Sequence, residues 1–596
     1  MRTDGYAPIA DYAAVGDGRT VALVAKDGSI DWLCLPDLDS PSVFGALLDA
    51  ERGGRFVLAP AERSESDRRY LPDTNVLETT FRTARGMVRV TDALVLPAGG
   101  LEPLRELARR IECVAGSVEL EWSVEPRFRY GADPGRAAGR GGVPVVQAGA
   151  DAVALRAWNA GSAQIHDGGI SGSFELRDGE RALLVLAAAH QEPLVLSGRD
   201  EAERRIEETC AFWRRWTSGL HYDGPWREEV VRSVLALKLL VFSPSGAIAA
   251  APTTSLPEVI GGGRNWDYRF AWVRDAGFTL DALMDIGAEA EAHAFLWWLL
   301  HASQITHPRL QVLYRLDGGN RAPEETLPLA GYRGSAPVRV GNGAASQRQL
   351  DIYGDLMETA WIYVRNGHEL DADTGRRLEE IADLVSKSWR EPDRGIWEVR
   401  SEPAHFTHSK MMCFVALDRA CRLAGERQIP VRSSERWRRE ADAVMEFVES
   451  RCFSEEKRSY VRSAGSDELD ASVLLAPIVE YCAGDTDRMR DTIDAVRREL
   501  GSGPFLYRYK TEDGNDGDEG AFVACSFWLI EALARAGRRS EAIDAMDAVL
   551  AYANDVGLFS EEIEPEDGTF LGNFPQGLSH LALVSAAAAI AEGGEA

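Results

Sequence analysis

Up to about residue 220, apolar positions come in short runs that are β-branched or alternate with polar residues, each closed by Gly, Pro or Asp. Thr20–Ala25, Arg55–Leu58, Met87–Leu96 and Val118–Val124 are examples. Successive side chains on a strand point to opposite faces, so such runs predict half-buried strands. Lys26-Asp27-Gly28 before Ser29–Leu35 carries a tight-turn signal, because glycine reaches positive φ without steric cost. Regularly punctuated short strands predict an N-terminal antiparallel β-sandwich over residues 1–200. Residues 201–222 follow as a linking helix, with charged and apolar residues at helical spacing and Trp213 and Trp216 near its end.

Beyond residue 222 the apolar period lengthens to that of a helix, and twelve helical segments are predicted between Trp226 and Ala591, Asp470–Tyr481 among them. Gly- and Pro-rich loops interrupt them at Ser243–Arg264, Asp317–Asn342 and Thr511–Asp518. Twelve helices after a β-domain suggest six hairpins closed into an all-α (α/α)6 barrel over residues 223–596, with function on the loops at one end. Two unrelated helical domains would give the same periodicity.

Composition narrows the classes. The chain has 596 residues, 45% apolar and 27% charged, the profile of a globular protein able to bury a large core. No apolar run reaches the roughly 18 residues of a membrane span, and Met1–Tyr12 lacks the apolar stretch of a secretory signal. A net charge of −28 argues against nucleic acid and anionic membrane surfaces, which attract lysine and arginine. Eight cysteines without a CxxC pair read as reduced core residues, and the expected location is the cytoplasm.

Among candidate sites, His405-x-x-His408 has ligand spacing but no third partner nearby, and reads as a pair of capping or core histidines. The acidic stretch 512–519 fails as a calcium loop, because Ala524 stands where a bidentate Glu is needed. Gly261-Gly262-Gly263-Arg264 lacks the Lys-Ser/Thr of a phosphate loop, and no G-x-S-x-G elbow occurs. No metal site is expected. What remains is aromatic–charged clustering between helices: Trp266-Asp267-Tyr268, Trp272-Val273-Arg274-Asp275 and Trp397-Glu398. Sugars offer apolar C–H faces and a belt of hydroxyls, which aromatic planes and Asp or Arg forks match. Glycoside hydrolysis needs two carboxyl groups. With 94 acidic residues, spacing cannot choose them, but two have unusual settings. Glu398 lies in the apolar Gly395-Ile-Trp-Glu-Val-Arg400, where the pKa of an acid would rise; Glu561 lies in Leu558-Phe-Ser-Glu-Glu-Ile563, just before a turn.

At these segments the sequence resembles glycoside hydrolase family 15, the glucoamylases, glucodextranases and certain prokaryotic trehalases. Ile9-Ala-Asp-Tyr-Ala-Ala-Val-Gly-Asp-Gly18 and Gly28-Ser-Ile-Asp-Trp-Leu-Cys-Leu-Pro36 are similar to the N-terminal domain of its trehalase-like branch. Arg264-Asn-Trp-Asp-Tyr-Arg-Phe-Ala-Trp-Val-Arg-Asp275 resembles the segment that builds its glucose subsite, and Leu329–Ser335, Val338–Asn342, Gln349–Gly354, Ser560–Glu564 and Leu571–Gln576 extend the match. The resemblance implies an inverting, exo-acting α-glucoside hydrolase. Glu398 would be the acid, Glu561 the base, and Tyr268 would hold the water. Trp272, Arg274 and Asp275 would bind the nonreducing glucose, Trp397 would be a further substrate-binding residue, and Arg508 would serve as a second sugar-binding arginine. Val399 and Glu562 stand where fungal glucoamylases have Glu and Gln, which leaves the leaving-group subsite open. Trehalose is the expected substrate. Glu562 and the 512–519 loop are expected to ring a short pocket. An α-1,4 or α-1,6 glucosidase, a phosphorylase and a non-catalytic sugar-binding protein are the alternatives. The chemistry requires no cofactor; phosphate or magnesium dependence and oligomeric state are not legible, and a homo-oligomer is compatible with the sequence.

Overall fold

The computed structural model describes residues 2–96, 104–511 and 519–592. Its N-terminal part is an antiparallel sheet domain in which fifteen strands are hydrogen-bonded into one network. The hairpin expected at Lys26-Asp27-Gly28 joins strands Val21–Ala25 and Ser29–Cys34, pairing Leu23 with Trp32. Gly28 has φ +84°, and a Cβ there would lie 2.1 Å from the Leu58 carbonyl oxygen, so this close approach requires glycine. The 20-residue strand Glu106–Glu125 connects two parts of the network. Its first half pairs with Gly86–Leu94 and Arg181–His190, its second half with Arg55–Pro60 and Gly169–Arg177.

Helix α1 (Arg199–Thr217) leads to a helical C-terminal domain. It holds α2 (Arg227–Leu240), α3 (Asp275–Asp285), α4 (Glu289–Ala302), α5 (Ile352–Arg365), α6 (Ala372–Ser388) and α7 (Thr407–Gly425). After these come α8 (Ser434–Arg451), α9 (Asp487–Leu500), α10 (Val523–Arg535), α11 (Arg539–Leu550) and α12 (Gly577–Glu592). The helix expected over Asp470–Tyr481 is only a 3-10 turn, Ala471–Leu475. Pro477 explains the difference: it lacks an N–H, and its ring clashes with the carbonyl four residues earlier. Packing follows a regular order. α3 packs on α5, α5 on α7, α7 on the 3-10 turn, that turn on α10, α10 on α12, and α12 back on α3. The intervening α2, α4, α6, α8, α9 and α11 each pack against members of that series.

The two parts share one continuous apolar core. Polar contacts cross between them: the Trp32 indole donates to the Pro252 carbonyl at 2.8 Å, and the Asn75 amide to that of Leu235 at 2.9 Å. Arg269, 2% exposed, pairs with Asp267 and donates to the Ser40 carbonyl, so the sheet domain anchors the segment that carries Trp266, Tyr268 and Trp272. All eight cysteines are free thiols, six of them buried, as expected. His408 is a core residue, and burial pushes its pKa down to about 3.

Candidate active site

Loops at one end of the helical domain form a narrow cavity. Tyr268, Trp272, Trp397, Glu398 and Arg508 line it, together with Glu258, Trp266, Asn342, Gln347 and Arg400. Short two-residue pairings fix several of these: Ala271–Trp272 pairs with Leu313–Tyr314, and the Tyr268 ring meets Trp272 edge-on at 5.2 Å.

Glu398 sits in a turn, with φ +52°. A non-glycine residue persists there only when its surroundings impose it. Glycine is required three residues earlier, since a Cβ on Gly395 would come within 2.9 Å of the Phe406 ring. The Glu398 Oε1 accepts from the Trp272 indole at 3.1 Å and from Arg274 Nη1 at 3.0 Å, and Gln347 donates to its carbonyl at 3.0 Å. Burial raises the Glu398 pKa above its ordinary value, and Arg274 and the Trp272 N–H oppose that rise. Arg274 also donates to the Ile396 carbonyl and to Asp275. Arg274 and Asp275 thus stand behind Glu398, each 7% exposed, and do not form the cavity wall. Trp397 donates to Asp470 at 2.9 Å, which orients its ring.

Glu561 is 1% exposed, in the turn before the short strand Glu562–Ile563. Its Oε2 accepts from the Asn573 backbone N–H at 3.1 Å, and its Oε1 is buried without a hydrogen-bond partner among the described residues. Burial raises its pKa; the facing Tyr268 hydroxyl, Arg508 and the Asn573 N–H work against the rise. Gly572, at φ +69°, packs so closely that a Cβ would lie 2.4 Å from the Glu561 Oε2.

Arg508 is held by Glu519 (Nε to Oε1, 2.9 Å) and by Glu258 (Nη2 to Oε2, 3.0 Å). Glu258, Glu519 and Glu562 bring one oxygen each within 4.8 Å of one another, a spacing that a cation could bridge. Arg508 and Arg264 already supply positive charge to Glu258 and Glu519. Burial, against Arg508, pushes the Glu258 pKa up to about 8. The expectation for Glu562 needs correcting: it is 0% exposed, accepts from the Gly520 N–H at 2.9 Å and does not face the cavity, because the strand turns alternate residues to opposite sides. Residues 512–518 of the expected pocket rim lie outside the described residues, whereas Glu519 is tied to Arg508 and Arg264. Glu258 escapes sequence reasoning altogether, since Ser255-Leu-Pro-Glu258 carries no motif or period that marks it.

Residues 224–546 and 540–588 match the model of glycosyl hydrolases family 15, and residues 2–207 match that of the trehalase-like N-terminal domain. The chain belongs to glycosyl hydrolases family 15. This family 15 enzyme is 39% identical over 614 residues to a trehalase of Mycobacterium tuberculosis, covering 98% of this chain and 89% of the relative. It is 33% identical over 613 residues to a trehalase of Thermoplasma volcanium, covering 99% and 95%. Its fold matches a bacterial glucoamylase solved with acarbose at a TM-score of 0.73, with 15% identity, over 99% of this chain and 95% of that one.

Proposed function

We propose that this glycoside hydrolase is an inverting trehalase. The observation that carries the mechanism is the contrast between a partly buried and a fully buried carboxyl group. Glu398 has its Oε1 braced by Trp272 and Arg274, and Glu561 has one oxygen fixed and the other unpartnered. In this reading Glu398 protonates the glycosidic oxygen as the bond to C1 breaks. Glu561 Oε1 takes a proton from water attacking the opposite face, and the Tyr268 hydroxyl holds that water. Trp272 and Trp397 contact the nonreducing glucose, and Arg274, held by Asp275, acts on it through Glu398. Arg508 sits on the leaving-group side. A buried Glu398 keeps its proton to higher pH than an exposed carboxyl, as an acid catalyst requires. Written this way, the chemistry needs no cofactor.

The trehalose assignment rests on the relatives, which span nearly the full length of this chain, sheet domain included. The packing order of the helices, alternating between the series that closes on α3 and the helices outside it, supports an (α/α)6 barrel over 223–596, with 1–200 as a β-sandwich and 201–222 as the link. No described helix is long and apolar enough to cross a membrane, and free thiols suit a cytoplasmic setting. Comparing kcat/KM for trehalose, maltose, isomaltose and maltoheptaose tests the substrate: trehalose should rank first. A preference for maltoheptaose would replace the trehalase reading with a glucoamylase-type one.

A further inference from the structure

One wall of the cavity has no role in the mechanism above. Arg400 lies two residues past Glu398, and the intervening Val399 is 1% exposed and points into the core, so the chain delivers Arg400 to the cavity. Its guanidinium carbon lies 4.4 Å from the centroid of Trp266, which also lines the cavity. Trp266 is fixed in turn: its indole N–H donates to Glu258 Oε1 at 3.0 Å, and Arg339 lies 4.5 Å from the same ring. Glu324, which is not part of the cavity wall, holds the arrangement from behind. Its carboxylate takes Arg400 at 3.2 Å, Arg339 at 3.4 Å and the Gly343 N–H at 3.1 Å. Arg400 has five N–H donors, and the bond to Glu324 engages one nitrogen, leaving donors to face the cavity. Beside it, the Gln347 Oε1 is a buried acceptor without a partner among the described residues.

We propose that Arg400, stacked on Trp266 and braced by Glu324, is a specificity-determining residue that reads the hydroxyls of the leaving sugar ring. The proposal rests on the hydrolase reading above. The chemical class follows from the donors and acceptors: a sugar hydroxyl can accept from Arg400 and donate to the unpartnered Gln347 Oε1. Glu324 acts through Arg400 and is a positioning residue.

The test uses two substrates of the full-length protein. Trehalose carries a second ring; α-glucosyl fluoride fills the glucose subsite but leaves as a bare ion. Arg400→Ala should lower kcat/KM for trehalose by roughly 10- to 100-fold, the range for losing hydrogen bonds from a charged donor, and that for α-glucosyl fluoride by less than about 3-fold. Both limbs of the pH profile should persist, which separates this effect from loss of the acid. Glu324→Gln should show the same split at smaller size. Equal losses on the two substrates, or no loss on trehalose, would overturn the assignment. Should the wild type favour maltose, the same split read with maltose decides the subsite independently of the trehalase reading. A wild type inert on every α-glucoside overturns both.

Discussion

Gly572 packs closely against Glu561, and the contact makes a sharp prediction. A Cβ at Gly572 would stand 2.4 Å from the Glu561 Oε2 and 2.6 Å from its Cβ. Restoring ordinary contact, about 3.4 Å or more, moves the carboxylate by roughly 1 Å, and the Asn573 N–H bond to the same oxygen is strained with it. Gly572→Ala therefore displaces the base while leaving its chemistry intact. Misplacing a reacting group by 1 Å can cost on the order of 10²-fold in rate. The positive φ of +69° adds a backbone cost of about 1–2 kcal/mol for alanine. Gly537→Ala is the matched control. It has φ +74°, its Cβ would meet nothing within 4 Å, and it lies past the end of α10, outside the cavity wall. Denaturant unfolding should show the backbone cost in both variants, with a further loss in Gly572→Ala from the clash with Glu561. Steady-state hydrolysis should show a kcat loss in Gly572→Ala alone. If the two variants keep kcat within about 3-fold of each other, the position of Glu561 is not what the rate depends on, and the base assignment loses its support.

Glu398→Gln and Glu561→Gln should each lower kcat on the disaccharide by roughly 10²- to 10⁴-fold with the fold intact, since Gln can still accept from Trp272 and Arg274 at position 398. α-Glucosyl fluoride, whose departure needs no proton, should partly rescue the first variant only. The pH profile of kcat/KM should be bell-shaped. Activity falls at acid pH as Glu561 becomes protonated and at alkaline pH as Glu398 loses its proton, and burial raises both groups above their ordinary values. Arg274→Gln removes a cation that holds Glu398 down, so the alkaline limb should move to higher pH; a shift to lower pH would contradict the assignment. With α-glucosyl fluoride, NMR should detect β-glucose first, and trehalose should release α- and β-glucose in equal amounts, with the Glu398 and Glu561 carboxyl groups roughly 6.5–9.5 Å apart in a crystal structure; α-glucose first from the fluoride would exclude inversion.

Local rules made much of this protein readable from its residues. Alternation and the Lys26-Asp27-Gly28 turn specify strands and a hairpin because side-chain direction and glycine φ are properties of a few neighbouring residues. Helical periodicity marks the other helices of the C-terminal domain for the same reason, and fails over Asp470–Tyr481, where Pro477 breaks the helix. The long ordered motifs carry the family signature together with Tyr268, Trp272, Trp397, Glu398 and Arg508, and the fold gathers all five on one cavity. The remainder depends on tertiary contact. Glu258, Arg400 and Glu324 come from loops far apart in the chain, and no spacing rule relates a loop at 258 to one at 324 or 400. Strand pairing likewise decides the surroundings of two adjacent carboxyl groups: Glu562 pairs with Phe522 and Leu571 and accepts from Gly520, while Glu561 accepts from the Asn573 N–H and packs against Gly572. Desolvation acts in the same way. The sequence supplies an acid in an apolar stretch, but the burial that raises the Glu398 pKa and the Arg274 guanidinium that limits the rise come from segments more than a hundred residues apart, brought within 3.0 Å by the fold.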